Sequence, residues 1–220
     1  MSGKVIQRLR VRFARGPAVK YVSHLDIMRL WQRALNRAGI PLAYSEGFTP
    51  HPRLSLAAPL AVGVVSEAEL MDVELSKRVT PTAFTSLVGA QLPEGFDILQ
   101  VLPVALTLPS LQSQVRFAEY EVEVETTQSR QEVESAITAL LAKNTLPWQH
   151  LRDTGVRHYD LRLLIDDLWL ADWQSGRCRL GMNLVSDSRG SGRPEQVALA
   201  LGFAGYPVSI KRTRLALGAG

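Results

Sequence analysis

The 220-residue sequence has a single cysteine, Cys178, and this scarcity excludes several kinds of site. One thiol cannot form an internal disulfide, hold a cysteine-ligated iron–sulfur cluster or build a multi-cysteine zinc site. The sequence also lacks an apolar run near the ~18 residues that span a membrane. Its first ten residues, MSGKVIQRLR, lack the apolar core of a signal peptide. We therefore expect a cytoplasmic protein without a membrane partner and without a metal or cofactor of its own.

Basic residues are only slightly in excess, but they are unevenly distributed. The formal net charge is +4, from 25 Lys and Arg against 21 Asp and Glu. Residues 1–56 carry ten basic and two acidic side chains, whereas residues 57–188 carry ten basic and eighteen acidic ones. Residues 189–220 are basic again, with five Lys or Arg against one acid. This pattern predicts a surface that attracts a polyanion, although charges that merely cover solvated faces explain the counts equally well.

The hydrophobic periodicity of the first half predicts an α+β unit. Residues 5–14 alternate apolar side chains with arginines, which is typical of a strand with one buried face. Apolar residues at helical spacing follow Ser23, a candidate N-cap, and stop at Gly39. The other predicted elements are a helix that begins at Pro81 and strands at 41–45, 53–58, 69–75 and 97–106. Apart from one additional strand between the helices, the order is β-α-β-β-α-β, that of a ferredoxin-like unit.

The second half predicts the same order of elements. Residues 117–125 alternate apolar side chains with glutamates, and residues 129–143 have helical spacing. The other predicted elements are strands at 157–165, 168–173 and 177–185, a short helix after Pro194, and a strand near 207–217. We therefore predict an α+β fold of two tandem ferredoxin-like (βαββαβ) units, an N-terminal one at residues 1–108 and a C-terminal one at residues 115–220.

Two rows of arginines in the first unit are candidates for binding a phosphate backbone. One row lies on a face of the first predicted strand and the other lies opposite the apolar side of the first predicted helix. The rows consist of Arg8, Arg10 and Arg12 on the strand and Arg29, Arg33 and Arg37 on the helix. Because the two rows are expected on different faces, they need not form one continuous surface.

The segment YSEGFTPHPR, residues 44–53, predicts a second part of a nucleic-acid-binding site. Its two prolines restrict the backbone, so the loop is expected to be extended and stiff. Tyr44 and Phe48 offer rings on which bases stack, and His51 and Arg53 offer donors to phosphate. The alternative hypothesis is that Tyr44 and Phe48 are core residues and that the prolines only shape the connection.

Two histidines provide the candidates for acid–base catalysis. His24 lies at the start of the first predicted helix and His51 lies in the loop, and imidazole titrates near neutral pH. If the two met in space, with Glu46 nearby, they would be weak candidates for cleaving RNA. The alternative is that both are structural, and two histidines do not define a metal site.

The segment SDSRGSGRP, residues 186–194, predicts a small flexible loop that leads into a helix. Arg189, Gly190, Gly192 and Arg193 are its candidate phosphate-binding residues, because backbone N–H groups at a helix start and neighbouring guanidinium groups favour anions. The segment matches neither the Walker pattern nor a dinucleotide fingerprint. An ordinary surface loop explains it equally well.

Several segments of the first half resemble a known family. They are KYVSHLD (20–26), RALNRAG (33–39), YSEGFTPHPR (44–53), LSLAAPL (54–60) and SEAELMDVE (66–74). Together they resemble the radical-SAM-linked protein family, a domain of unknown function found fused to or encoded beside cobalamin-binding radical SAM proteins. The resemblance implies a radical SAM protein as partner. The chain lacks the C-x3-C-x2-C triplet, so the iron–sulfur cluster, S-adenosylmethionine and cobalamin are expected only in that partner.

Three functions are compatible with these patterns. The favoured hypothesis is a non-catalytic, RNA-binding or substrate-presenting partner of a radical SAM enzyme. The first alternative is a metal-independent endoribonuclease of the CRISPR type, which also combines tandem ferredoxin-like units with an early histidine and a late Gly-rich loop. The second alternative is a protein–protein adaptor without nucleic acid, which would use the acidic middle of the chain or Trp169 and Trp173 to bind its partner.

Overall fold

The predicted α+β class is confirmed by a computed structural model, which describes residues 4–152, 155–187 and 190–218. Within these residues the chain divides into two units. The first holds the described residues up to Val115 together with Gly218, and the second holds Arg116–Leu217. No helix among the described residues is long and apolar enough to cross a membrane.

The first unit is a sheet with helices that follow its strands. Its elements are β1 (Gln7–Arg15), α1 (His24–Arg37), β2 (Leu54–Leu56), β3 (Val65–Leu75), α2 (Pro81–Gly89), β4 (Phe96–Val104) and α3 (Leu111–Gln114). Strand β1 pairs with β3 on one side and with β4 on the other, and β2 pairs with β3. These pairings are antiparallel, so the order across the sheet is β4-β1-β3-β2.

The apolar face of β1 builds the core of this unit. Leu9, Val11 and Phe13 are fully buried, as their alternation predicts. The ring of Phe13 meets that of Trp31 on α1 edge to face, with 4.8 Å between the ring centroids. Such contacts stabilise a pair of aromatic rings by about 0.5–1.5 kcal/mol beyond the burial of their area. The alternation along β1 and the spacing along α1 therefore fix which sides of the two elements meet.

Helix α1 begins and ends where its sequence predicts. The Ser23 hydroxyl oxygen accepts a hydrogen bond from the backbone N–H of Asp26, so the predicted N-cap is confirmed. The helix ends before Gly39, whose φ of 66° lies in the left-handed region that favours glycine. The outward side of α1, which carries the arginine row, is therefore held in a defined orientation.

The second unit contains a sheet and a separate two-stranded hairpin. Its elements are β5 (Val115–Glu125), α4 (Arg130–Leu141), β6 (Pro147–Arg152), β7 (Gly155–Asp160), β8 (Ile165–Gln174), β9 (Arg177–Asp187), β10 (Gly190–Ser191), α5 (Pro194–Ala200) and β11 (Ser209–Leu217). Strand β9 pairs antiparallel with β5 and with β8, and β11 lies beside β5. Strands β6 and β7 pair only with each other among the described residues.

The strand predicted at residues 157–165 is wrong in its second half. Strand β7 ends at Asp160, and a short 3₁₀ turn covers Arg162–Leu164 before β8 begins. The cause is the Asp160 carboxylate, which accepts hydrogen bonds from the backbone N–H groups of Arg162, at 2.9 Å, and Leu146, at 2.8 Å. These bonds favour a turn over continued pairing. Along the chain, the β6–β7 hairpin is therefore an insertion between α4 and β8.

Candidate nucleic-acid interface

The arginine row of β1 is largely paired with acidic residues of β3. Antiparallel register places Arg8 opposite Glu74 and Arg10 opposite Asp72. Arg10 donates hydrogen bonds to both carboxylate oxygens of Asp72, from Nε to Oδ1 at 2.8 Å and from Nη2 to Oδ2 at 3.0 Å. Arg8 donates to Glu74 Oε1 from Nη2 at 2.9 Å. Arg12 differs, because it is exposed and donates to the carbonyl of Glu67.

The pairing on β1 is partly shielded from solvent. The side chains of Arg8 and Arg10 are each 13% exposed, and that of Asp72 is 6% exposed. A carboxylate this close compensates the charge of each guanidinium group and occupies its donors. Arg8 and Arg10 therefore stabilise the sheet, and Arg12 is the member of this row whose side chain faces solvent.

Glu74 also connects the sheet to the Tyr44–Arg53 loop. Its second oxygen, Oε2, lies 3.3 Å from Nη1 of Arg53, a side chain that is 44% exposed. One carboxylate is thus shared by two guanidinium groups, those of Arg8 and Arg53. The three side chains together keep one surplus positive charge at the base of the loop. A phosphate group close to Arg53 is attracted by that charge.

Hydrogen bonds across its base brace the Tyr44–Arg53 loop. The backbone N–H of Ser45 donates to the carbonyl of His51 at 2.9 Å, and the N–H of His51 donates to the Ser45 hydroxyl at 3.0 Å. The N–H of Arg53 donates to the carbonyl of Ala43 at 2.9 Å. The loop therefore has a fixed base, as its two prolines predict, and it projects residues 46–50 into solvent.

The two aromatic residues of this loop have different environments. Tyr44 is partly buried and packs against the core of the first unit. Phe48, at the tip, has a relative exposure of 109%, which is that of a side chain without any cover. A fully exposed phenylalanine in a braced loop is a ready surface for stacking a base. The core hypothesis thus describes Tyr44, whereas base stacking on Phe48 stays a prediction.

The arginine row of α1 lies on the solvent side, as its spacing predicts. Arg29 is paired with Asp26, at 3.1 Å between Nη1 and Oδ1, and Arg37 donates from Nη2 to the carbonyl of Gln91 at 2.8 Å. The side chain of Arg33 is exposed. A hydrogen bond from Ser23, followed by one from Arg29, lowers the pKa of Asp26. Asp26 therefore remains an anion beside this row.

A groove lies next to the same row. It has a volume of about 560 Å³, and α1 and the turn after α2 form its walls. Arg33 and Arg37 line it together with Leu30 and Leu92. The two arginines therefore line a concave surface, to which Asp26 also contributes.

An exposed aromatic residue at the start of α1 was missed in the sequence. Tyr21 is 73% exposed and Leu25 is 66% exposed, whereas most large apolar side chains of this unit are buried. The ammonium group of Lys20 lies 5.1 Å from the centre of the Tyr21 ring. Tyr21 lies in a turn, where no periodicity indicates which way a side chain points. Its exposed ring adds a second candidate stacking surface near the start of α1, the helix that carries the arginine row.

The candidate catalytic residues do not form a metal cluster. No group of three or more His, Cys, Asp or Glu side chains in the described part of the chain is placed to hold a metal ion. His24 is the first residue of α1 and is partly buried, whereas Glu46 and His51 are exposed in the loop. Catalysis by His24, His51 or Glu46 stays a prediction that only an assay can test.

The described part of the predicted phosphate loop pairs with β9. Gly190 pairs with Asp187 as part of β10, and the N–H of Gly192 donates to the carbonyl of Val185 at 2.8 Å. A Cβ at Gly192 would lie 2.8 Å from the carbonyl oxygen of Leu164, so this glycine permits close packing. Arg189 lies outside the described residues. The N–H of Gly192 is thus engaged in the fold, and phosphate binding by Arg193 stays a prediction.

The acidic row of β5 is matched by basic side chains of the neighbouring strands. Glu123 pairs with Arg177 at 2.9 Å, Glu121 with Lys211 at 3.3 Å, and Glu119 with Arg214 at 3.4 Å. These are cross-strand pairs between exposed or partly exposed groups. Because these basic side chains neutralise the glutamates, the surface around β5 is less negative than the sequence of this strand alone indicates.

The two tryptophans of β8 pack against other segments of the second unit. The Nε1–H of Trp173 donates to the carbonyl of Gln128 at 3.2 Å. The indole of Trp169 lies directly over Gly181, where an added Cβ would come within 1.9 Å of the ring. Trp169 nevertheless remains 38% exposed. Both side chains therefore have packing roles, and a role in binding a partner protein stays a prediction for Trp169.

A family model matches most of the chain. Residues 8–194 match the family described as an uncharacterized protein conserved in bacteria, DUF2344. The chain belongs to this family. The match covers the Tyr44–Arg53 loop, the arginines of α1 and all of the Gly-rich segment at 186–194. Membership in DUF2344 does not itself assign an activity, and no curated protein matches the sequence.

Solved structures resemble the DUF2344 chain in fold. A chain of the crystal structure of a Cbf5-Nop10-Gar1 complex aligns with a TM-score of 0.52 and 10% identity, over 95% of this chain and 48% of that one. A chain of the archaeal box H/ACA sRNP Nop10-Cbf5 complex aligns with a TM-score of 0.49 and 11% identity, over 96% and 49%. The DUF2344 chain thus spans about half the length of these chains. At such identities the likeness shows the fold alone.

Proposed function

We propose that the chain is a non-catalytic, RNA-binding or substrate-presenting partner of a radical SAM enzyme. The observation that carries the RNA part is the uncovered ring of Phe48 at the tip of a braced loop, with Arg53 at the base. Stacking of a base on such a ring tolerates any sequence, and the nearby cation attracts the backbone. The interface proposed here consists of Arg12, Tyr21, Arg29, Arg33, Arg37, Phe48, His51 and Arg53.

Helix α1 supports the same proposal independently of the loop. It presents a row of exposed guanidinium groups and begins beside the exposed ring of Tyr21. Cations release counterions from a nucleic acid on binding, while an aromatic ring holds an unpaired base. This combination favours a single-stranded or looped RNA. Arg8, Arg10 and Tyr44 are left out of the interface because they serve the sheet and the core.

The radical SAM partner is supported by the sequence segments between residues 20 and 75. In this proposal the iron–sulfur cluster, S-adenosylmethionine and cobalamin belong to the partner, and the chain acts in the cytoplasm. Purification from the native cell, followed by sequencing of bound RNA and identification of bound polypeptides, tests both parts at once. Recovery of neither RNA nor a radical SAM protein contradicts the proposal.

Both units are proposed to be ferredoxin-like. The strand order β4-β1-β3-β2 with antiparallel pairing supports this for the first unit. In the second unit β8, β9, β5 and β11 are neighbours in the equivalent order, and the β6–β7 hairpin is an insertion. An experimental structure with a different order in either sheet contradicts this part.

Replacement of Phe48 by alanine is expected to weaken RNA binding about 5- to 100-fold, because base–aromatic stacking contributes roughly 1–3 kcal/mol. The Phe48 ring does not pack against the core, so its removal should not change the thermal stability of the protein. The matched control is Leu87→Ala, which removes an apolar side chain that is 49% exposed on α2 of the same unit. Fluorescence anisotropy with a labelled RNA hairpin measures the effect. Equal affinities for the Phe48 and Leu87 variants would remove the loop tip from the interface.

The purified chain is expected to cleave neither RNA nor S-adenosylmethionine. His51→Ala should weaken binding through the loop that it occupies, and His24→Ala should leave the products of an RNA incubation unchanged. The assay incubates labelled structured RNA with metal-free wild-type protein and with each variant. Specific products that form with the wild type and vanish with either variant favour the endoribonuclease, since a general acid or base contributes roughly 10²–10⁴ in rate.

A further inference from the structure

A cavity in the second unit is lined by the β6–β7 hairpin and by the segment Gly190–Arg193 before α5. Its volume of about 500 Å³ falls in the range of small-molecule sites, about 300–1,000 Å³. Leu163, Leu164 and Val185 form its apolar wall. His150 and Arg157 line it from the inserted hairpin. Because the cavity needs two segments far apart in sequence, no motif revealed it.

A chain of hydrogen bonds orients one donor of this cavity. The hydroxyl of Tyr159 donates to Oε1 of Gln196, and Nε2 of Gln196 lies 2.9 Å from Nδ1 of His150. Burial raises the pKa of Tyr159, so its hydroxyl keeps the proton that it donates. With Oε1 accepting, the Gln196 amide must donate to Nδ1. Neutral His150 then carries its proton on Nε2, where it can donate to a ligand.

Two arginines line the cavity. Arg157 is exposed, and its guanidinium carbon lies 5.9 Å from the centre of the Tyr159 ring. Arg193, at the start of α5, has its Nη1 3.7 Å from a carboxylate oxygen of Glu195. Two guanidinium groups and an imidazole N–H from different elements can surround a tetrahedral phosphate group, whose three terminal oxygens accept from several directions.

The acidic groups of the cavity restrict where an anion can lie. Asp160 and Asp187 also line it, and Asp160 accepts two backbone N–H groups. These carboxylates disfavour an anion in direct contact with them, and they favour hydroxyl or amino groups on the rest of the ligand. The cavity therefore matches a phosphate joined to a flat body that carries hydrogen-bond donors, which describes a nucleotide.

We propose that this cavity binds a nucleoside monophosphate, with its phosphate between Arg157, Arg193 and the Nε2–H of His150 and its base against Leu163 and Leu164. The same chemistry is offered by a free nucleotide and by the 5′-terminal nucleotide of an RNA. The site lies in the second unit and does not depend on the proposed interface of the first unit. Nothing in the binding of a long RNA at Phe48 requires it.

Isothermal titration calorimetry with adenosine 5′-monophosphate tests the proposal, with adenosine and inorganic phosphate as the probes that lack one half of the ligand. Saturable binding of the monophosphate is expected, with each half binding at least about 10-fold more weakly. Arg157→Gln should weaken monophosphate binding roughly 10- to 100-fold, because a charge-assisted hydrogen bond is lost. Tyr159→Phe, which releases Gln196 and His150, should weaken it roughly 2- to 10-fold.

The matched control is Arg130→Gln, an exposed arginine of α4 whose loss should leave monophosphate binding unchanged. The site does not include Phe48 or the arginines of α1, so failure here is distinguishable from failure of the RNA proposal. A short RNA with a 5′-phosphate, compared with its 5′-hydroxyl form, decides between the two sources of the nucleotide. Equal binding by adenosine and the monophosphate, no saturation with either, or wild-type affinity in folded Arg157→Gln protein would overturn the proposal.

Discussion

Replacement of Asp72 by asparagine is expected to lower the free energy of unfolding by about 3 kcal/mol or more. The substitution keeps the size of the side chain but leaves the buried guanidinium group of Arg10 without its counter-charge. Removing one partner of a buried ion pair costs about 3–5 kcal/mol, far more than the pair itself contributes. Unfolding in guanidinium chloride, followed by circular dichroism, measures the change.

Two controls separate this effect from a loss of charge in general. Glu134→Gln breaks an exposed ion pair with Arg130 on α4 and should change stability by less than about 0.5 kcal/mol. The double variant Arg10→Met/Asp72→Leu removes both charges and should recover much of the lost stability. If Asp72→Asn were as stable as the wild type, the Arg10–Asp72 pair would not hold the sheet, and Arg10 would return to the list of RNA-binding candidates.

Replacement of Arg29, Arg33 and Arg37 together by alanine is expected to weaken RNA binding about 10- to 100-fold at low salt, because up to three phosphate contacts are lost. Affinity should fall for all sequences alike, and the slope of log affinity against log salt should decrease by about one per contact. These side chains are exposed, so each change should cost less than about 0.5 kcal/mol of stability. Filter binding over a range of salt concentrations measures both quantities.

The matched control for this prediction removes three exposed arginines from the second unit. Arg130, Arg177 and Arg179 are each at least half exposed and each paired with a carboxylate. Their replacement changes the net charge by the same amount, so a general electrostatic effect would appear in both triple variants. An unchanged salt slope in the α1 variant would remove this helix from the interface.

The sequence predicts the elements that depend on local spacing. Two such features are confirmed: the buried alternation of Leu9, Val11 and Phe13 in β1, and the N-cap of α1 at Ser23. Each depends only on residues that are close together in the sequence. Strand β6 was missed and β7 was predicted only in part, because their segments, PWQHLR and GVRHYD, have no apolar alternation. Strands of this kind are specified by the partner they pair with, and that partner cannot be known from one segment.

The candidate site was predictable in composition but not in the role of each residue. The loop at 44–53 was identified from its residues, yet only the fold shows that Tyr44 packs on the core and Phe48 does not. In the same way, Arg10 and Arg12 are equivalent in the strand pattern. Register with a strand about sixty residues later gives Arg10 a bidentate carboxylate and leaves Arg12 exposed.

The bare ring of Phe48 has a consequence for the colloidal behaviour of the free protein. An uncovered phenylalanine is a point at which two copies can adhere, and the excess of positive charge in the first 56 residues opposes their approach. Salt screens that repulsion over about 10 Å at 0.1 M. An ionic strength high enough to release a bound nucleic acid therefore also permits the free protein to self-associate. The solubility of the protein at high salt should then depend on whether a ligand covers Phe48.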